Sequence, residues 1–310
     1  MPTVALAHGA ANPAPTPSIL ITGWQIDPIF IMLTLLASWA YLRAVQAVNA
    51  AHPNSPFPRK RVAYFFSGIG ILVFALISPF AAYDTDLFAL HMWQHILLIS
   101  FAAPFLVLST PLTLALRAAN PRVRREVLLP ILHSRVVRAI TFPVIAWVGL
   151  SFAMWGSHFS PIYNLSLENT WFHRVEHVWY LSAALLFWWQ VIGVDPTPWR
   201  MSYPVRILYL FLQMPQNSFL ALSFYNSEHI IYKHYDALVR TWGPNPLLDQ
   251  ELAGITMWVG GDLIFLGALA LVIVQWVKHE ELENKRADRQ QARAKAARAA
   301  SEASATGMAR

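Results

Sequence analysis

Residues 86–109 read DLFALHMWQHILLISFAAPFLVLS, a run long enough to cross a bilayer that carries two histidines four residues apart near its start. Residues 172–193, FHRVEHVWYLSAALLFWWQVIG, repeat the arrangement, with His173 and His177 at the head of a second apolar run. A hydrocarbon core is crossed by roughly 20 apolar residues in helical conformation. Residues four apart on a helix share one face, with Cβ atoms about 5–6 Å apart, so both imidazoles of a pair reach one ion. The two stretches together imply membrane helices that bring a polar site in with them.

Composition agrees. The chain has 310 residues, 56% of them hydrophobic and only 13% charged, a balance outside the range of soluble domains. The formal charge of +6 does not point to nucleic acid, because the basic residues sit between apolar spans and in the tail. With no cysteine, disulfides, thiolate metal sites and cysteine nucleophiles are all excluded. A metal site in this chain must use histidine, methionine, carboxylate or backbone oxygen.

The expected fold is all-α, a polytopic membrane protein with seven transmembrane helices at about 24–46, 62–82, 87–109, 136–156, 171–193, 204–225 and 252–277. Residues 110–135 are too charged to span and read as an interfacial amphipathic element. Residues 1–23 form an outer Pro/Ala-rich tail without the basic start of a secretory leader, 24–277 the membrane domain, and 278–310 a cytoplasmic basic, Ala-rich tail read as a solvated helix. Seven crossings place 20 of the 23 Lys and Arg residues on one side, leaving Arg174, Lys233 and Arg240 opposite. The positive-inside rule then sets the N-terminus outside and the C-terminus in the cytoplasm.

In that orientation His91, His95, His173 and His177 share a depth in the outer third of the third and fifth spans. Ionisable side chains inside a span face the protein interior or a wet cavity. The four imidazoles are therefore the expected metal ligands of one site. Met257 falls close to the depth of His95, and Asp262 lies near mid-membrane, where a carboxylate needs a proton or a partner. Glu176 is placed to orient imidazoles, and Asn217, beside the helix-kinking Pro215, is a second polar partner. Asp84, Asp86, His158, Glu168, Glu228, His229 and His234 form an acidic and imidazole-rich rim at the outer mouth. Neutral imidazole suits copper and zinc alike, and an added thioether favours Cu(I).

Three stretches carry a family likeness: HMWQH running into APFLVLSTPL, HRVEH running into LFWWQVIGVDP, and DQELAGITMW. In order and placement they resemble the seven-helix CtaG-type cytochrome c oxidase assembly factors, over about residues 24–277. The resemblance implies a multi-pass protein of the bacterial cytoplasmic membrane that matures a haem–copper oxidase. It also implies copper as cargo, with a copper donor and oxidase subunits as partners within the lipid bilayer. It carries the histidine pairs over to His91, His95, His173 and His177, and a last-helix signature to Asp249, Gly254 and Met257.

A non-enzymatic copper carrier is the leading expectation. HRVEH also fits the His-x-x-Glu-His zinc-protease pattern with Glu176 as base, although HMWQH has Gln94 where a glutamate would stand. Bis-histidine haem ligation across the two spans is the other alternative, and a scaffold without any ligand the blandest.

Overall fold

The fold is described from a computed structural model covering residues 11–308; residues 1–10 of the expected outer tail and 309–310 of the basic tail lie outside the described residues. Its long helices are α1 (Pro28–Ala51), α2 (Arg59–Ile77), α3 (88–108), α4 (Pro143–His158), α5 (Thr170–Ile192), α6 (Tyr203–Tyr225) and α7 (246–308). Each overlaps one of the seven apolar segments, although the helix expected over 136–156 starts only at Pro143, after a short separate helix Arg135–Ile140. The charged stretch after α3 breaks into short helices between Pro111 and Ile140.

Local chemistry sets the helix starts. Asp27 caps α1 by accepting from the N–H groups of Ile29 and Phe30, and Asn169 caps α5 through Trp171 and Phe172. Proline stands in the first turn of α1, α4, α6 and α7, where its missing N–H costs nothing. Gly193 ends α5 in a left-handed conformation, φ +59°, that side-chain-bearing residues rarely adopt.

Two of the long helices contain a π-turn, Leu97–Ala102 in α3 and Thr256–Gly260 in α7. Pro104 has no N–H to offer the carbonyl of Ser100, which helps loosen α3 at that point. Side chains collect carbonyls at both turns: Trp188 Nε1 donates to Ile99 O at 2.7 Å, and Asn217 Nδ2 to Met257 O at 2.8 Å. Within a bilayer such backbone groups have no water to turn to.

The helices alternate in direction. At one end of the bundle, Arg174 at the head of α5 pairs with Asp27 at the head of α1, Nε to Oδ2 2.8 Å. Asp249 in the first turn of α7 accepts from the N–H groups of Phe88 and Ala89 at the head of α3, at 2.8 and 3.2 Å. The last turns of α2 and α6 arrive at the same end: Gln94 donates to Ala75 O and Gln250 to Phe224 O. At the other end Arg61 donates to Leu108 O, and Asp195 accepts from Leu112 and Thr113.

Four helical stretches are long and apolar enough to cross a membrane: Pro28–Ala51, Arg59–Tyr83, Phe88–Ala118 and Pro246–Ala296. Of the other three long helices, α4 has 16 residues, while α5 and α6 carry charged and amide groups. Those polar groups turn inward. Glu176 is 2% exposed and Asn217 3%, whereas Val178 on α5 is 65% exposed and Phe219 on α6 66%. Apolar surface outside and polar groups inside is the arrangement a hydrocarbon solvent imposes, and the chain is a membrane protein.

Close helix approach depends on two glycines of α7. A Cβ on Gly254 would meet Ala221 O at 2.9 Å, and one on Gly261 would meet Asn217 Nδ2 at 2.6 Å, so α7 sits directly against α6. Gly267, further along, has nothing within 4 Å. Gly254→Ala is expected to cost about 1–3 kcal/mol through overpacking, and Gly267→Ala to be neutral or to gain up to about 1 kcal/mol of helix propensity. Thermal melts of the two variants in one detergent check the contrast; an equal effect would mean that α7 can move off α6.

Candidate metal centre

The capped heads of α3 and α5 stand side by side, which brings the two histidine pairs together. Ring centroids are 4.4 Å apart within the α3 pair and 4.3 Å within the α5 pair; across the helices His91 lies 5.4 Å from His173, and His95 6.2 Å from His177. The four imidazoles thus form a compact quadrilateral inside the protein, with His91 wholly buried and His95 nearly so.

Their roles differ. One nitrogen of His91, one of His173 and a carboxylate oxygen of Glu176 all lie within 4.8 Å of one another, a separation at which three donors converge on one ion. Asp84 Oδ2 stands 3.7 Å from His173 Nε2, an ion-pair distance too long for a hydrogen bond. His177 instead donates from Nε2 to Gln94 Oε1 at 3.0 Å, while Gln94 donates to Ala75 O at 2.8 Å. Gln94 thus fixes the tautomer and tilt of His177.

Most of the remaining polar atoms have no partner. Both ring nitrogens of His91 and of His95, Nε2 of His173 and both oxygens of Glu176 are buried without a hydrogen bond. An unpaired buried polar group costs about 1–3 kcal/mol, and proteins leave few of them. So many at one place, all of ligand type, fit a cation better than they fit a packed core. Imidazole with carboxylate and no thiolate suits copper or zinc.

The long loop between α6 and α7 closes the site from above. Tyr235 donates from its hydroxyl to Asp84 O at 3.2 Å, Tyr232 to His158 O at 3.1 Å, and Arg240 to Asp86 O at 2.8 Å. Asp84 is nearly buried in the turn before α3, and desolvation pushes its carboxyl above the usual range while the neighbouring His173 pulls it back.

The other residues singled out from the sequence fall elsewhere. Met257 lies with His95 on a separate small cavity, below the His91–His173–Glu176 group. Asn217 holds Met257 O and Asp262 Oδ1, and Ser218 donates to Asp262 Oδ2 at 2.6 Å, so Asp262 serves the α6–α7 contact. Asp249, part of the last-helix signature, spends its oxygens on the head of α3 and faces Arg240 Nη1 at 3.9 Å. His158, expected at the rim, is 3% exposed in the interior, because α4 ends deep enough to carry it under the Tyr232 loop. Glu168, Glu228 and His229 do lie at the surface. Sequence reasoning gave Gln94 no role and left out Tyr163, which packs on His91 at 5.2 Å. The signal for Gln94 was its place between two histidines on a helix otherwise apolar.

Fold and site together define an all-helical membrane protein with a buried imidazole–carboxylate cluster at one end of the bundle. Residues 39–279 match the family described as cytochrome c oxidase caa3 assembly factor, and the chain belongs to that family. Among curated proteins it is 28% identical over 282 residues to uncharacterized proteins of Mycobacterium bovis and Mycobacterium tuberculosis, covering 89% of this chain and 42% of each relative. A Mycobacterium leprae protein, also uncharacterized, is 27% identical over 278 residues, covering 86% of this chain and 41% of its own length. The chain therefore spans about two fifths of those relatives. No solved structure matches.

Proposed function

We propose that the protein crosses the bacterial cytoplasmic membrane seven times, with its N-terminus outside, and binds copper near the outer face for delivery to a haem–copper cytochrome c oxidase. The observation that carries this reading is the convergence of His91, His173 and Glu176 with their donor atoms unpaired. Membership of an oxidase assembly family supplies the process. Alternating helix directions and the one-sided distribution of Lys and Arg support the orientation. Copper is the cargo and the oxidase subunit its recipient. His91 and His173 would hold the ion, Glu176 would complete or orient the set, and Asp84 would lend negative charge to its approach.

The test is oxidase metallation in the host. A strain lacking the gene is complemented with the wild type or with His91→Ala plus His173→Ala, and copper per haem is measured in the purified oxidase. The variant is expected to leave the oxidase copper-poor, at or below about a tenth of the wild-type content, while its own level in the membrane is unchanged. Full copper loading by that variant would overturn the reading. Zinc loading of the purified protein, run alongside, separates a copper site from a general divalent one.

A further inference from the structure

Below the His91–His173–Glu176 group, a cavity of about 30 Å³ is enclosed by α3, α4, α5, α6 and α7. Its walls include His95, His158, Met92, Met154 and Met257, with Tyr180 over one side. A single small species needs ~10–15 Å³ of such space, so the cavity has room for an ion or a few waters and for no larger ligand.

Two imidazoles line it, His95 and His158, with ring centroids 6.1 Å apart. His158 Nδ1 lies 2.7 Å from Met154 O, and since a carbonyl only accepts, Nδ1 must carry the proton. His158 Nε2 is then the bare nitrogen, buried and without a partner. Backbone-anchored Nδ1–H with a free Nε2 is how metal-binding histidines are oriented. His95 stacks on Tyr180 with centroids 4.3 Å apart and has neither nitrogen bonded. Met92, Met154 and Met257 also line it, and Met154 Sδ accepts from Gln213 Nε2 at 3.8 Å, with its second lone pair left over. The π-turn Thr256–Gly260 carries Met257, and the π-turn Leu97–Ala102 contributes Ile99 and Ser100 beside it; such turns frequently occur at functional sites.

We propose that this cavity is a second metal site, built from His95, His158, Met154 and Met257, that takes a soft monovalent cation. Thioether donors select Cu(I) over zinc, whereas the imidazole–carboxylate group above it is harder and accepts divalent ions. Naming Cu(I) as the natural occupant rests on the copper reading proposed above; the donor set does not. The chain then holds two stations of different character, with His91 and His95, centroids 4.4 Å apart on one helix face, standing between them.

The experiment uses the full-length protein in lipid nanodiscs under anaerobic conditions. X-ray absorption is recorded at the copper edge after one equivalent of Cu(I), and Ag(I) and Zn(II) affinities are measured by chelator competition. Sulfur neighbours are expected around Cu(I) in the wild type. Met154→Leu plus Met257→Leu, which nearly conserves side-chain volume, should remove them and weaken Ag(I) binding at least tenfold with Zn(II) affinity unchanged. Cu(I) surrounded by nitrogen and oxygen alone in the wild type would overturn the proposal whether or not the variant folds. Unchanged Ag(I) affinity in a folded variant would overturn it too. Sulfur-ligated Cu(I) in a protein whose His91→Ala plus His173→Ala variant keeps its Zn(II) affinity would instead uphold this site and remove the one above it.

Discussion

Glu176→Leu is expected to abolish tight divalent-metal binding and at the same time to raise the melting temperature of the metal-free protein. Glu176 is 2% exposed, and neither of its oxygens has a hydrogen bond. A buried polar group left in that state costs about 1–3 kcal/mol, which an apolar residue of similar size removes. At ~2–4 °C per kcal/mol the gain is a few degrees. Glu176→Gln keeps the shape and loses the charge; its Zn(II) or Cu(II) affinity should fall about 10–100-fold. His91→Ala should do at least as much, because it deletes a donor outright. His95→Ala should leave divalent affinity within a few-fold, since His95 faces the lower cavity. Melting without metal and competition titration with it check both halves. A lower melting temperature for Glu176→Leu would mean that the carboxyl serves the fold, in conflict with its unpaired oxygens. Opposed signs for stability and binding are the mark of a site kept for function.

Asp249→Ala should be the most damaging single substitution outside the imidazole–carboxylate cluster. The carboxylate is 1% exposed, accepts from two N–H groups at the head of α3, and neutralises an Arg240 whose side chain is 7% exposed. Removing it strands two backbone donors and takes a counter-charge from a guanidinium that is left donating to Asp86 O and Pro244 O. Breaking a buried pair in this way costs about 3–5 kcal/mol, a fall in melting temperature on the order of 10 °C. Asp249→Asn retains an acceptor oxygen and should lose about half as much. Hydrogen exchange at Phe88 and Ala89 reads the cause directly, with fast exchange expected in the alanine variant. Protection at those amides in a destabilised variant would place the damage elsewhere. The imidazole–carboxylate cluster would suffer secondarily, because the same helix head positions His91.

The sequence already shows why α5 carries its charged residues at one end. His173, Glu176 and His177 lie at spacings of three and four, so their side chains share a face, and a face with three ligand-type groups has to turn away from lipid. The same logic misplaced His158. Its position near the end of an apolar segment suggests a headgroup-level ring, yet α4 is only 16 residues long and its last turn stays under the α6–α7 loop. Asp249 was visible as part of a last-helix signature, but nothing in DQELAGITMW says whose N–H groups it would hold. That depends on which helix head lies beside it, 161 positions away.

By itself the sequence determined the helical class, the location of the long helices and the residue types available to a site, because apolar run length, helical spacing and the lack of cysteine are properties of neighbours along the chain. Only the tertiary structure decided that the histidines divide between an upper carboxylate-bearing group and a lower thioether-lined cavity. Which donors meet is set by the order and rotation of the helices around the bundle. Those follow from contacts such as Gly254 on Ala221, Arg174 on Asp27 and Asp249 on the head of α3, each joining residues far apart in the chain.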